Sequence, residues 1–148
     1  MVRCLERTFE KEILSNRVVI VPFALGSTEK DIYFNFDARN PFSGKISNSG
    51  LAIKQITLDK LSVVLSLQKI DFIKMDLEGL ETEALLGGLC LISKLFPKLS
   101  ITTYHGVGDY YRAFKIIKGL GYKKIQPSGT TQRDDSQAYR PYLIHASR

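Results

Sequence analysis

Asp76 and Glu78 stand two residues apart at the end of an apolar run, Ile70-Asp71-Phe72-Ile73-Lys74-Met75, and Gly79 and Glu81 follow at once. Carboxylates at the carboxyl end of a strand can take a proton as a general base, bind a divalent cation, or hold a substrate hydroxyl. Open α/β sheets bind their ligands at that end. The same acids have a structural use, because Glu78, Glu81 and Glu83 at a helix start interact favourably with its dipole, by about 0.3–1 kcal/mol each. For Asp76 and Glu78 both uses stay open; Glu81 and Glu83 read as dipole partners. Gly79 either lets a ligand approach the backbone or permits a tight strand-to-helix turn. Tyr104-His105-Gly106 closes the next apolar run. If the two strands are parallel neighbours, His105 shares a sheet edge with Asp76 and can be its acid/base partner. The alternative is a strand-end histidine bonded to a loop. His145, beside Ile144, reads as structural.

The elements that would carry these groups follow from periodicity. Val2, Leu5, Phe9, Ile13 and Leu14 recur at helical spacing and predict a helix over 2–14. The β-branched run Val18-Val19-Ile20-Val21 predicts a buried strand closed by Pro22, and residues 24–27 a turn. Alternation over 31–36 predicts a strand, residues 37–50 an exposed loop, and 51–56 another strand. Thr57 is placed to cap a helix over 58–67. Then come strand 70–75, a helix over 79–95 disturbed at Gly87-Gly88, and a stop at Pro97. Strand 98–104, helix 109–119 and strand 122–126 follow. A polar loop over 127–140 leads to a last strand, 142–146. The alternation gives an α/β class, with the final two strands an antiparallel pair at one sheet edge.

At 148 residues, with 44% hydrophobic and 24% charged residues, the chain is expected to be one globular domain, 1–148. Its net charge of +6 would suit a polyanion, but the basic residues are scattered apart from Lys123-Lys124, so no nucleic acid is expected. Cys4 and Cys90 form no CxxC pair, and Cys90, within Leu89-Cys90-Leu91-Ile92, reads as a buried reduced thiol. No apolar run reaches the length of a membrane span, and charges come too early for a secretory signal. A cytoplasmic setting follows.

The stretch Ile73-Lys74-Met75-Asp76-Leu77-Glu78-Gly79-Leu80-Glu81, with Leu85-Leu86-Gly87-Gly88, resembles the central motif of the FkbM family of S-adenosylmethionine-dependent methyltransferases. Other stretches fall in the family's order: Val19-Ile20-Val21-Pro22-Phe23-Ala24-Leu25-Gly26 is similar to its third strand and turn, and Ile56-Thr57-Leu58-Asp59-Lys60-Leu61 to a helix start. Leu99 to His105 with Asp109, then Leu120-Gly121-Tyr122, is similar to its fifth strand and C-terminal helix. The resemblance implies a class I, Rossmann-like fold and methyl transfer from S-adenosylmethionine to a hydroxyl of a sugar, glycolipid or natural product. It implies Asp76 or His105 as the base, Ala24 and Leu25 near the adenine, and Glu78 and Gly79 on the cofactor side. A cation shared by Asp76 and Glu78 would be Mg²⁺-like by ligand hardness. The family's first two strands and glycine-rich cofactor turn have no counterpart here, so the sequence reads as N-terminally truncated. That leaves an expected apolar edge at strand 70–75. Two rival readings follow: a non-catalytic remnant or half of a split enzyme completed by a homo-oligomer or a complementing chain, and a basic α/β module using Arg39, Lys45, Lys123 and Lys124 on polyanions.

Overall fold

A computed structural model describes residues 2–37, 40–132 and 139–148; for residues 36, 37 and 40–46 it describes the backbone alone. The fold is mixed α/β, with two four-stranded sheets. The first has the order β1 (Ala24–Leu25), β4 (Leu51–Ile56), β2 (Lys30–Asp37), β3 (Asn40–Ser47). β1 runs parallel to β4, and the other pairs are antiparallel. The second has the order β5 (Phe72–Met75), β6 (Lys98–Thr102), β8 (Arg140–Ser147), β7 (Lys124–Thr131).

The second sheet carries the core. β6 is its inner parallel strand, and Leu99, Ser100, Ile101 and Thr102 are all buried, as a strand covered on both faces requires. β8 alternates instead, with Ile144 and Ala146 inward and His145 exposed. Against these strands pack α4 (Glu81–Leu86), α5 (Leu89–Leu95) and α6 (Asp109–Gly119). In α6, Asp109, Ala113 and Ile117 recur every fourth residue, so one stripe faces inward. Met75, Leu85, Ile92, Leu99, Ile101, Ile117 and Ile144 form the fully buried centre.

The two sheets are joined through α3 (Leu58–Val64) and the α4–α5 junction. Thr57 caps α3, its hydroxyl accepting from Lys60 N at 3.1 Å, as the sequence predicts. Leu58 enters the core of the second sheet, and Asp59 N donates to Gly87 O at 2.9 Å. The Asp59 carboxylate accepts from Leu91 N at 2.7 Å and Cys90 N at 3.2 Å, which supplies the N-terminal cap that Gly88 cannot give α5.

Several expectations are corrected. Residues 18–21 form no strand and Val19 is exposed, because no neighbouring strand is hydrogen-bonded to them among the described residues. The helix over 2–14 is two pieces, α1 (Val2–Thr8) and α2 (Glu10–Leu14), parted at Phe9. Ala24 and Leu25 are a short strand rather than a turn. The expected loop 37–50 contains β3, since Tyr33 to Phe36 find antiparallel partners in Gly44 to Ser47. Helix 79–95 is interrupted at Gly87-Gly88 as predicted, and starts two residues later. β7 and β8 are longer than the sequence indicates, taking residues 127–131 and 140 from the expected loop. They form the predicted antiparallel edge pair; residues 133–138 of that loop lie outside the described residues. Cys90 is exposed, because α5 turns Leu91 and Ile92 inward and leaves Leu89 and Cys90 outside.

β5 is an outer strand, paired with β6 on one side only among the described residues. Its Phe72 side chain faces solvent. Among the described residues no helix is long and apolar enough to cross a membrane.

Candidate active site

Parallel pairing of Met75 with Ile101 brings the ends of β5 and β6 level. Asp76 therefore sits beside Thr102, whose hydroxyl lies 3.3 Å from Asp76 Oδ1. Beyond Asp76 the chain must reverse to enter α4. It does so through Glu78 at φ 52° and Gly79 at φ 98°. A left-handed glutamate is strained by about 1–2 kcal/mol, and something nearby must hold it.

Glu81 holds it. Its carboxylate is buried and accepts from Leu77 N at 2.7 Å and Gly79 N at 3.1 Å. Thr102 Oγ1 donates to the same carboxylate at 2.9 Å, tying β6 to the turn. The expectation that Glu81 is a solvated partner of the helix dipole is thus too weak. It opens α4, but its side chain folds back as the organiser of the β5–α4 turn. The sequence signal was its spacing, five residues after Asp76 and two after a glycine. Glu83 behaves differently again, because Ser27 donates to its carboxylate from the β1 turn.

His105 comes to the same edge. Its side chain is 5% exposed; Nδ1 lies 3.0 Å from Glu81 Oε1, and Nε2 lies 3.7 Å from Asp76 Oδ1 and 3.6 Å from Glu78 Oε2. The loop that carries it is fixed by Asp109, whose carboxylate accepts from Gly106 N and pairs with Arg112 at 2.5 Å. Asp76 is 39% exposed and Glu78 57%. Lys74 Nζ approaches Asp76 Oδ2 at 3.6 Å. Asp76, Glu81 and His105 each offer one ligand atom within 4.8 Å of the others.

Aromatic rings wall this edge. Tyr104 packs on His105 at 4.1 Å between ring centroids and stacks on Tyr142 at 4.6 Å. Burial, the hydrogen bond with Tyr142 and the Asp76 and Glu78 carboxylates push the Tyr104 phenol up to about 12, so it stays a neutral donor or acceptor at neutral pH. Neither tyrosine stood out in the sequence as a site residue.

The expected site residues divide. Asp76, Glu78, Gly79 and His105 converge on one edge. Ala24 and Leu25 lie in the first sheet, paired with Gln55 and Ile56. Their turn leans on the far end of α4, where a Cβ on Gly87 would fall 2.1 Å from Gly26 O. Among the described contacts none joins Ala24 or Leu25 to Asp76. The basic residues do not gather either: Lys123 and Lys124 are exposed at the start of β7, the Lys45 backbone belongs to β3 of the other sheet, and Arg39 lies outside the described residues.

Sheet and turn together define an α/β chain with an acidic cluster at the shared end of β5 and β6. The profile of the Methyltransferase FkbM domain matches residues 18–124, and the chain belongs to that family. The crystal structure of methyltransferase FkbM from Methylobacillus flagellatus KT is similar in fold, with a TM-score of 0.64 at 21% identity. The match covers 98% of this chain and 32% of that one, so this chain spans about a third of the length of the protein it resembles. No match is found among curated proteins.

Proposed function

We propose that the chain contributes the acceptor edge of an S-adenosylmethionine-dependent O-methyltransferase site, acting on a hydroxyl of a sugar, glycolipid or natural product. The observation that carries this reading is Asp76, solvent-accessible at the end of β5 and backed by the buried His105. S-adenosylmethionine, when bound, supplies a methyl group on a positively charged sulfur. The chain's own task is to place the acceptor hydroxyl and take its proton, and Asp76 is the group with access to do so. His105 is too buried to meet an acceptor directly and stands behind Asp76, its Nε2 3.7 Å from Oδ1. Exposed Glu78 suits the cofactor's ribose hydroxyls. The space beside it favours this role, because a Cβ on Gly79 would meet only His105 Cβ, at 3.7 Å. Ala24 and Leu25, half-buried, are proposed for the adenine side.

Calorimetric titration with S-adenosylmethionine and S-adenosylhomocysteine tests the reading. Micromolar binding, about −8 kcal/mol, supports a cofactor site in this chain, and Asp76→Asn should then abolish transfer while leaving cofactor affinity within a few-fold. A folded chain that binds neither compound sinks the stand-alone reading.

A second reading is favoured by the open side of β5 and the exposed Phe72: the chain works as one half of a split enzyme, its sheet continued by a complementing chain. Sedimentation separates the two. A monomer that binds cofactor supports the first reading, and a dimer dispersed by Phe72→Lys supports the second.

A further inference from the structure

We propose that His105, Asp76 and Glu78, backed by Glu81, form a divalent-cation site at the shared edge of β5 and β6. The starting observation is His105. Its side chain is almost wholly buried; Nδ1 faces Glu81 Oε1 at 3.0 Å, and Nε2 makes no hydrogen bond. An unsatisfied buried polar atom costs about 1–3 kcal/mol, and Nε2, with no acceptor within hydrogen-bond distance, needs a partner. Three carboxylates face the ring, Glu81 at Nδ1 and Asp76 and Glu78 at Nε2. Lys74 offsets one of these charges from an exposed position.

The distances separate the roles. Nε2 is 3.7 Å from Asp76 Oδ1 and 3.6 Å from Glu78 Oε2, too long for hydrogen bonds. Each of the two is near the spacing of a pair of atoms that share a cation, since tetrahedral bonds of about 2.1 Å separate ligands by roughly 3.4 Å. Asp76, Glu81 and His105 each offer an atom within 4.8 Å of the others. Nδ1, by contrast, lies 3.0 Å from Glu81 Oε1. That oxygen already accepts from Leu77 N and Thr102 Oγ1. Glu81 is therefore the backing carboxylate that orients the ring from behind, as carboxylates do for metal-bound imidazoles, and Nε2 is left to point at the ion.

One imidazole nitrogen with carboxylate oxygens favours a borderline ion such as Zn²⁺ or Co²⁺ over Ca²⁺ or Mg²⁺, and the carboxylates also admit Mn²⁺. This differs from the Mg²⁺-like ion that Asp76 and Glu78 alone would imply, and the difference is the histidine. Because Asp76 and Glu78 are partly exposed, the ion would keep positions open toward solvent, where an acceptor hydroxyl would meet it. In that respect the inference deepens the methyl-transfer reading at the same edge, but it stands on the geometry of these four side chains.

The test uses the 148-residue chain without any methyl donor, so loss of cofactor binding and loss of cation binding are read separately. The probes are Mn²⁺ for imidazole NMR and Zn²⁺ for calorimetry. The protein has two histidines, and His145, exposed on β8, is the internal reference. The expected result is selective Mn²⁺ broadening of His105 and one equivalent of Zn²⁺ bound. Asp76→Asn and His105→Gln should each weaken Zn²⁺ at least tenfold, with backbone amide spectra verifying the folded state. Because Asp76 is partly exposed, its variant keeps the test open if His105→Gln fails to fold. Equal broadening of both histidines, no broadening at millimolar Mn²⁺, or Zn²⁺ affinity unchanged in Asp76→Asn overturns the proposal and leaves His105 a buried ring facing the carboxylates without an ion.

Discussion

Glu81 Oε1 stands 3.0 Å from His105 Nδ1, and both side chains are cut off from solvent. One carboxylate thus faces two structures at once. It gathers the amides of the β5–α4 turn, and it stands against the ring that closes the neighbouring strand. The turn that presents Asp76 and Glu78 and the loop that presents His105 are set by a shared buried charge.

Glu81→Ala should cost on the order of 3 kcal/mol, because two turn amides and the Thr102 hydroxyl lose their charged acceptor. Thr102→Val removes one donor and should cost about 1 kcal/mol. Urea unfolding measures both. A Glu81→Ala loss below about 1 kcal/mol would show that the turn holds without the carboxylate.

Gly87 and Gly119 predict opposite outcomes for the same change. A Cβ at Gly87 would meet Gly26 O at 2.1 Å, and both partners are backbone. Gly87→Ala should therefore destabilise by about 1–3 kcal/mol and loosen the junction between the sheets. At Gly119 nothing lies within 4 Å of the added carbon, so Gly119→Ala in α6 should be neutral or stabilise by up to about 1 kcal/mol. Thermal melts of the two variants, shifted in the same direction, would contradict this.

Asp59→Ala should cost about 1–2 kcal/mol through the lost cap on α5. Asp59→Asn should recover part of it, since its amide oxygen still accepts from Leu91 N. Hydrogen exchange at Cys90 and Leu91 reads the cap directly: faster exchange in Asp59→Ala is expected, and unchanged exchange would deny the contact.

Tyr122 makes stability fall at high pH. Burial pushes its phenol from 10.0 up to about 12, and the hydroxyl donates to Pro97 O at 2.6 Å. Between those values the folded chain keeps a proton that the unfolded chain has released. The contribution is full below pH 10 and is lost as pH rises toward 12, by on the order of 2–3 kcal/mol. Ultraviolet titration should show late-ionising tyrosines, and Tyr122→Phe should flatten this alkaline loss. A wild-type stability level up to pH 12 would refute it.

Much of the second half was legible because its signals are local. α6 has the bounds 109–119 that its periodicity and Gly119-Leu120-Gly121 indicate, Thr57 caps α3, and Gly87-Gly88 breaks α4 from α5. β3 was hidden because Asn40-Pro41-Phe42-Ser43-Gly44 carries turn residues, and only pairing with β2 makes it a strand. Val18 to Val21 show the converse: strong β propensity, no ladder partner among the described residues, no strand.

The sequence by itself determined the α/β class, the family, and the placing of Asp76, Glu78 and Gly79 after a strand, because each is written in contiguous residues. Tertiary structure alone decided that Glu81 turns inward, that His105 meets three carboxylates, and that Gly26, next to Ala24 and Leu25, lies against the far end of α4. The Glu81–Thr102, Glu81–His105 and Gly26–Gly87 relations join residues 21, 24 and 61 positions apart, across β5–β6 register and helix–sheet packing. No local periodicity encodes a distance between side chains that only the folded chain brings together.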